Sequence, residues 1–346
     1  MSELGGETSG VRVLGADPAT GELTTAARLL AEASDVTLLA HVNPDADALG
    51  SALAVGLALH RRGAVVRVSF GEPAVVPESL RDLDVAGLLV PPSEVPAAPP
   101  LLVVMDTGSV ERLGPLGGRV AAAADGGGQV LVVDHHASNT RFGTHHYVDD
   151  RAEATAVLAA RLLDALGVPL DEPIARCLYA GLVTDTRSFR HASAQTHVLA
   201  ARLLSAGVDP EATTRPLLDS HPFGWLAMLS TVLGGARLER DAARGLGLVH
   251  ATVRLADAEG LRSEEVDSVV DLVRTTVEAE VAAVLKETAS GAWSVSLRAV
   301  GKIDVGAAAQ ALGGGGHRLA AGFTAEGPAE RVLAALRDAL DGAPEL

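Results

Sequence analysis

Three short, largely apolar runs each break off into acids and histidines, and no other feature of the sequence constrains the fold as strongly. Val36 to Ala40 runs into His41, Asp45 and Asp47; Leu101 to Met105 runs into Asp106; Gln129 to Val133 runs into Asp134, His135 and His136. Apolar runs of this length with no polar alternation read as strands buried on both faces, and the helical lengths between them predict a mainly parallel α/β sheet with helices on either side. Ligands bind such sheets at the carboxyl ends of the strands, so the three clusters are expected to converge on one crevice. A fourth acid, Asp185, ends a helical stretch and is expected to close that crevice from the side.

The 346 residues suffice for two domains at roughly 100–200 residues each. Residues 1–22 are aperiodic and rich in Gly, Ser and Thr, which predicts a flexible tail. Residues 23–208 carry the strand and helix rhythm of the α/β domain, with helices expected over Gly50 to Arg62, Glu153 to Leu166, Asp171 to Val183 and Gln195 to Ser205. Residues 209–236 read as a connecting segment with its own helix. Residues 237–346 read as a smaller α+β domain, with a hairpin around TASGA, a glycine-rich loop and a final helix from Ala329 to Leu340.

Acids outnumber bases 44 to 28, a formal charge of −16, and aromatic residues make up only 3% of the chain. That balance repels long polyanions and leaves little for base-stacking platforms, so long duplex nucleic acid is excluded and short substrates are expected. No apolar run reaches the roughly 18 residues that a spanning helix needs. The first residues lack the basic and apolar regions of a signal peptide, and the single cysteine, Cys177, has no partner for an internal disulfide. A cytoplasmic protein without a membrane segment is the expectation.

Asp45, Asp47, Asp106 and Asp185 would place four negative charges in one crevice, which like-charge repulsion forbids unless protons or cations neutralise them. Two divalent cations match that charge. Carboxylates mixed with imidazoles suit Mn²⁺ better than Mg²⁺, which prefers oxygen and water, or structural Zn²⁺, which prefers tetrahedral N/S sites. Two ions about 3.5–4 Å apart can share a water, lower its pKa and hold phosphoryl oxygens for in-line attack.

The segments HVNPDADALGS, VVMDTGS, VVDHHASN and TDTRSF resemble, in order and spacing, the four motifs of the DHH phosphoesterase superfamily, and LGGGGHRLAAGF resembles the signature of the associated DHHA1 domain. The two-domain length is most similar to the bacterial nanoRNase/pAp phosphatase group, whose actinobacterial members also resemble cyclic-di-AMP phosphodiesterases. The resemblance implies that His41 and Asp45 hold one metal, that Asp47, His135 and Asp185 hold the other, and that Asp106 bridges them. It also implies two Mn²⁺ ions, with Mg²⁺ or Co²⁺ as substitutes, and a homodimer.

In the same carry-over, Asp134 orients the histidines, His136 contacts phosphate or the leaving oxygen, and Asn139 and Ser51 are donors to phosphate or to ligating carboxylates. Arg298 and the run Gly314, Gly315, Gly316 and His317 would bind the substrate's phosphate, glycines letting backbone N–H groups crowd an anion. The substrates implied are short oligoribonucleotides, linear dinucleotides and pAp, with cyclic di-AMP as a further one. Two positions depart from the family pattern: Arg187 follows Thr186 where glycine is usual, and Ala299 ends SLRA where SLRS is usual. Arg187 reads more readily as a solvated surface charge than as a phosphate donor, and the alanine removes one hydroxyl.

Ordinary residues weigh against the functional readings elsewhere. Asp at a strand-to-helix junction commonly caps the helix, so each acid alone could be structural; the set in order could not. No acid precedes His145 and His146, which read as loop or strand residues. Arg112 reads equally as a cation steering phosphate or as a surface charge. Three rivals remain: a RecJ-like single-strand exonuclease, a family II pyrophosphatase, and a module that binds cyclic di-AMP without cleaving it.

Overall fold

The computed structural model describes residues 20–346 and divides into two compact units, one ending at Asp219 and the other spanning Ser220–Leu346. The first contains α1 (Thr20–Glu32), β1 (Asp35–Leu39), α2 (Ala46–Arg61), β2 (Val65–Ser69), β3 (Leu101–Met105), α3 (Gly118–Asp125), β4 (Gln129–Asp134), β5 (His145–Val148), α4 (Thr155–Ala165), α5 (Glu172–Asp185), α6 (Ala194–Ser205) and α7 (Pro210–Leu218). Its five strands are all parallel, in the order β2-β1-β3-β4-β5. The order reverses between β1 and β3, which is where an open α/β sheet leaves a crevice at its carboxyl edge.

The apolar runs are continuous because both faces are covered. Along β3, Leu101, Val103 and Met105 join the core beneath α1, α2, α4, α5 and α6, whereas Leu102 and Val104 join the opposite core with Leu113, Leu116, Val120 and Ala123. Side chains alternate with a period of two, so a strand between two helical layers has no polar position.

Several boundaries differ from those the sequence suggests. Within the expected tail, residues 1–19 lie outside the described residues, and Thr20 to Glu22 are already helical. Glu22 ties that first turn down by accepting from the Val148 N–H at 3.0 Å and pairing with Arg141 at 2.7 Å. Helix α2 starts at Ala46 rather than Gly50 because the Asp45 side chain caps it, accepting from the N–H groups of Asp47 and Ala48. The segment 209–236 is no single connector: α7 packs on the first unit, with Leu217 against its core, and α8 (Phe223–Gly234) packs in the second through Met228, Leu229 and Val232.

The second unit continues with β6 (Arg237–Glu239), the short turn α9 (Ala242–Gly245), β7 (Leu248–Val253), α10 (Ser263–Val273), β8 (Val281–Ala289), β9 (Ala292–Ala299), α11 (Val305–Ala311), β10 (Gly315–His317), β11 (Ala320–Glu326) and α12 (Ala329–Gly342). Its six strands run β10-β11-β9-β8-β7-β6, parallel only between β7 and β8. The glycine run is therefore not a loop: Gly315 to His317 form an edge strand paired antiparallel to β11. A Cβ on Gly314 would lie 2.1 Å from the Gly322 carbonyl oxygen, and one on Gly316, at φ +137°, 2.6 Å from that of Ala320. Close approach of β11 demands glycine at these two positions, whereas Gly315 faces open space. Among the described residues, no helix is long and apolar enough to cross a membrane.

Candidate metal centre

Each strand end delivers its residues through a specific local device. His41 follows β1, and its Nδ1 lies 2.8 Å from the Val42 carbonyl oxygen. A carbonyl only accepts, so Nδ1 carries a proton and Nε2 is the atom presented to Asp45 Oδ2 and Asp106 Oδ2, each 3.6 Å away. His135 repeats the arrangement. Its Nδ1 lies 3.0 Å from the Ala152 carbonyl oxygen, and Nε2 faces Asp185 Oδ2 at 3.2 Å and Asp106 Oδ1 at 3.4 Å.

The ligand atoms of His41, Asp45 and Asp106 lie within 4.8 Å of one another, as do those of Asp47, His135 and Asp185. Asp106 stands between the two groups, one oxygen toward each histidine. Asp47 and Asp185 arrive on α2 and α5, which cross so closely that a Cβ on Gly181 would lie 2.6 Å from Asp47 Oδ1, and one on Gly50 2.5 Å from the Cys177 carbonyl oxygen. These two glycines let the helices meet and set the depth at which both acids stand.

The electrostatics show what the cluster lacks. Burial works against charge on His41, yet the nearby carboxylates of Asp106 and Asp45 raise its pKa to about 10. Burial, with the charges of Asp185 and Asp106, pushes Asp47 well above the usual carboxylate range. Burial likewise lifts Asp185 to about 6 against the pull of His135. Burial opposes the charged form of Asp106 too, but His136, His41 and His135 hold it well below its ordinary value. Left to itself, the cluster takes up protons to stay neutral. Divalent cations would take their place, and the donor set fits them: the buried Nε2 of His41 has no hydrogen-bond partner and faces two carboxylate oxygens.

Asp134, wholly buried, holds this arrangement from behind. Its Oδ1 accepts from the His135 N–H at 2.9 Å and from His136 Nδ1 at 2.7 Å, and Asn139 Nδ2 donates to its Oδ2 at 2.6 Å. Asn139 also donates to the Thr107 carbonyl at 3.2 Å, so its amide group is engaged with Asp134 and the chain. Ser51 is fully buried with Oγ 3.5 Å from Asp47 Oδ1, the carboxylate side of the two roles its sequence position left open. Arg112, open between two readings in the sequence, brings NH1 to 3.2 Å from His136 Nε2.

The remaining candidates are placed as follows. His145 and His146 lie on the edge strand β5, where His145 Nε2 meets Gln129 Oε1 at 2.7 Å and His146 accepts from the Gly143 N–H. Arg187 opens a run of three left-handed residues, Arg187, Ser188 and Phe189, which turns the chain away directly after Asp185. In the second unit, Arg298 pairs across from Ala320 of β11, and His317 ends β10. Ala299 points into the apolar core beside Leu297 and Ile303, so the hydroxyl that the family serine would supply belongs to the buried side of the sheet.

One residue that sequence reasoning does not find is Thr155, the first of α4. Its Oγ1 donates to Asp106 Oδ1 at 2.8 Å, and its N–H donates to Asp47 Oδ2 at 2.6 Å. No sequence signal marks it beyond a hydroxyl residue at a helix start.

Residues 35–182 match the DHH family, N-terminal domain, and residues 246–343 match the DHHA1 domain. The chain is 33% identical over 313 residues to a Thermus thermophilus protein named bifunctional oligoribonuclease and PAP phosphatase NrnA, covering 88% of this chain and 90% of that one. It is 26% identical to the cyclic-di-AMP phosphodiesterase GdpP of Geobacillus thermodenitrificans, over 84% of this chain but 44% of the relative. Among solved structures, an exopolyphosphatase-related protein from Bacteroides fragilis is similar with a TM-score of 0.82 at 20% identity, covering 93% of this chain and 96% of the other, a likeness of fold.

Proposed function

The chain belongs to the DHH family and hydrolyses phosphodiester and phosphate bonds, and we propose that it does so with two Mn²⁺ ions on short substrates, releasing 5′-mononucleotides from di- and oligoribonucleotides and AMP from pAp. One observation carries this reading: the Nε2 atoms of His41 and His135 are each presented to two carboxylate oxygens at 3.2–3.6 Å, with Asp106 shared between them.

In this reading His41 and Asp45 hold one ion, Asp47, His135 and Asp185 the other, and Asp106 both. Held there, such ions would supply Lewis acidity toward phosphoryl oxygens and a lowered pKa for a bound water. The chain's own groups do the rest. Asp134 fixes the His136 ring and the His135 backbone, and the Ala152 carbonyl fixes the His135 ring, so that the reacting phosphate meets a rigid set of donors. Arg112 directs its guanidinium to the crevice through His136, and we assign it to a substrate phosphate oxygen, with His136 aligning it from the other side. In the second unit, Arg298, Gly315 and His317 are the proposed phosphate contacts. Gly314 and Gly316 serve the backbone instead.

The likeness to the Geobacillus thermodenitrificans relative supports cyclic di-AMP as a second substrate. Substrate length tests the main reading. With Mn²⁺ supplied, the rate on the dinucleotide pApA exceeds that on a 20-mer; equal or faster cleavage of the 20-mer would instead favour a processive single-strand exonuclease.

A further inference from the structure

Helix α4 begins without a capping side chain of its own: Ala154 stands at the N-cap. Its first N–H groups are nevertheless satisfied, by a residue 108 positions upstream. Thr155 N–H donates to Asp47 Oδ2 at 2.6 Å and Ala156 N–H to Asp47 Oδ1 at 2.8 Å. Asp47 thus caps α4 from α2, its two carboxylate oxygens lying at the positive end of that helix.

The Thr155 hydroxyl extends the same grip to Asp106. Thr155 is fully buried, and its Oγ1 donates to Asp106 Oδ1 at 2.8 Å, since a carboxylate oxygen accepts. The oxygen it holds is Oδ1, the one toward His135; Oδ2 is left toward His41. Asp106 itself sits at φ 54° at the end of β3, a conformation its neighbours must enforce.

We propose that Thr155 is the positioning residue of the centre: by holding Asp47 through its N–H and Asp106 through its hydroxyl, it fixes which Asp106 oxygen serves each of the two cation positions and so sets their separation. The proposal rests on the two-ion reading above. Thr155→Val keeps the shape and the backbone donor and removes only the hydroxyl, and Thr155→Ser keeps the hydroxyl.

The test is Mn²⁺ titration of metal-stripped full-length protein, followed by calorimetry and by electron paramagnetic resonance. Wild type and Thr155→Ser should bind two equivalents and show a spin-coupled Mn²⁺ pair. Thr155→Val should bind the second equivalent about tenfold or more weakly and lose the coupled signal, with its far-ultraviolet circular dichroism unchanged. If Thr155→Val does not fold, Thr155→Ala carries the same comparison. A coupled pair of wild-type affinity in the variant lacking the hydroxyl overturns this proposal alone. A wild type without any coupled pair overturns the two-ion reading, and this proposal with it.

Discussion

Asp106 holds a left-handed backbone conformation with its carboxylate ringed by three histidines and a threonine, a state that costs on the order of 1–3 kcal/mol and persists only where surroundings enforce it. Asp106→Asn preserves the shape and removes the charge that both histidine groups face. It is expected to abolish turnover and to lower bound metal as measured by elemental analysis; near-normal activity would refute the shared position. Cys177 shows the opposite kind of burial. Desolvation pushes its thiol up to about 12, and its Sγ is buried against the Leu83 carbonyl. A native protein unreactive to thiol reagents follows, with reaction only in denaturant. The pH dependence has a definite sign. The unfolded thiol loses its proton above about 9 while the folded one keeps it, so this group makes stability fall as pH rises from about 9 toward 12.

Also at this scale, the acids and histidines were legible because strand ends in a parallel sheet share one edge. Thr155 was not, since a threonine at a helix start looks the same whether its hydroxyl meets water or a carboxylate from another strand. Asn139 and Ser51 stayed open between phosphate and carboxylate for a related reason: sequence shows that a donor is near the site but not which way it faces.

Among the elements, the crossing of α2 and α5 decides where Asp47 and Asp185 stand, and Gly181 is the point where it meets Asp47. Glycine to alanine in a helix ordinarily stabilises by about 1 kcal/mol. Here the added methyl would lie 2.6 Å from Asp47 Oδ1 and 2.8 Å from Asp47 Cα, so Gly181→Ala is expected to destabilise by about 1–3 kcal/mol and to weaken Mn²⁺ binding. Urea unfolding reads the sign directly, and a gain in stability would show that the helices have room. The three central strands of the first sheet, β1, β3 and β4, were readable from apolar runs; β5, with the sequence HHYV, was not. The edge strand β10 was not, because four glycines carry no periodicity; the need for glycine at 314 and 316 lies in β11, which follows them.

For the whole molecule, charge and site combine. The net −16 repels a polyanion, while four of the acids gather in the crevice, where two bound divalent cations would cancel their charge. Repulsion of this kind is screened by salt, so the ratio of 20-mer to dinucleotide cleavage should rise between about 20 and 200 mM salt, the reverse of a basic-groove enzyme. The two-domain plan was readable from length and from the change in pattern after residue 236. The placing of α7 and α8 in different units was not, since both belong to one proline-punctuated stretch whose partners only tertiary packing reveals. The most direct test of the account is product chromatography after incubating the purified protein with Mn²⁺ and, separately, pApA, pAp and cyclic di-AMP: AMP from pApA and from pAp is the expected result, and recovery of all three substrates intact would contradict it.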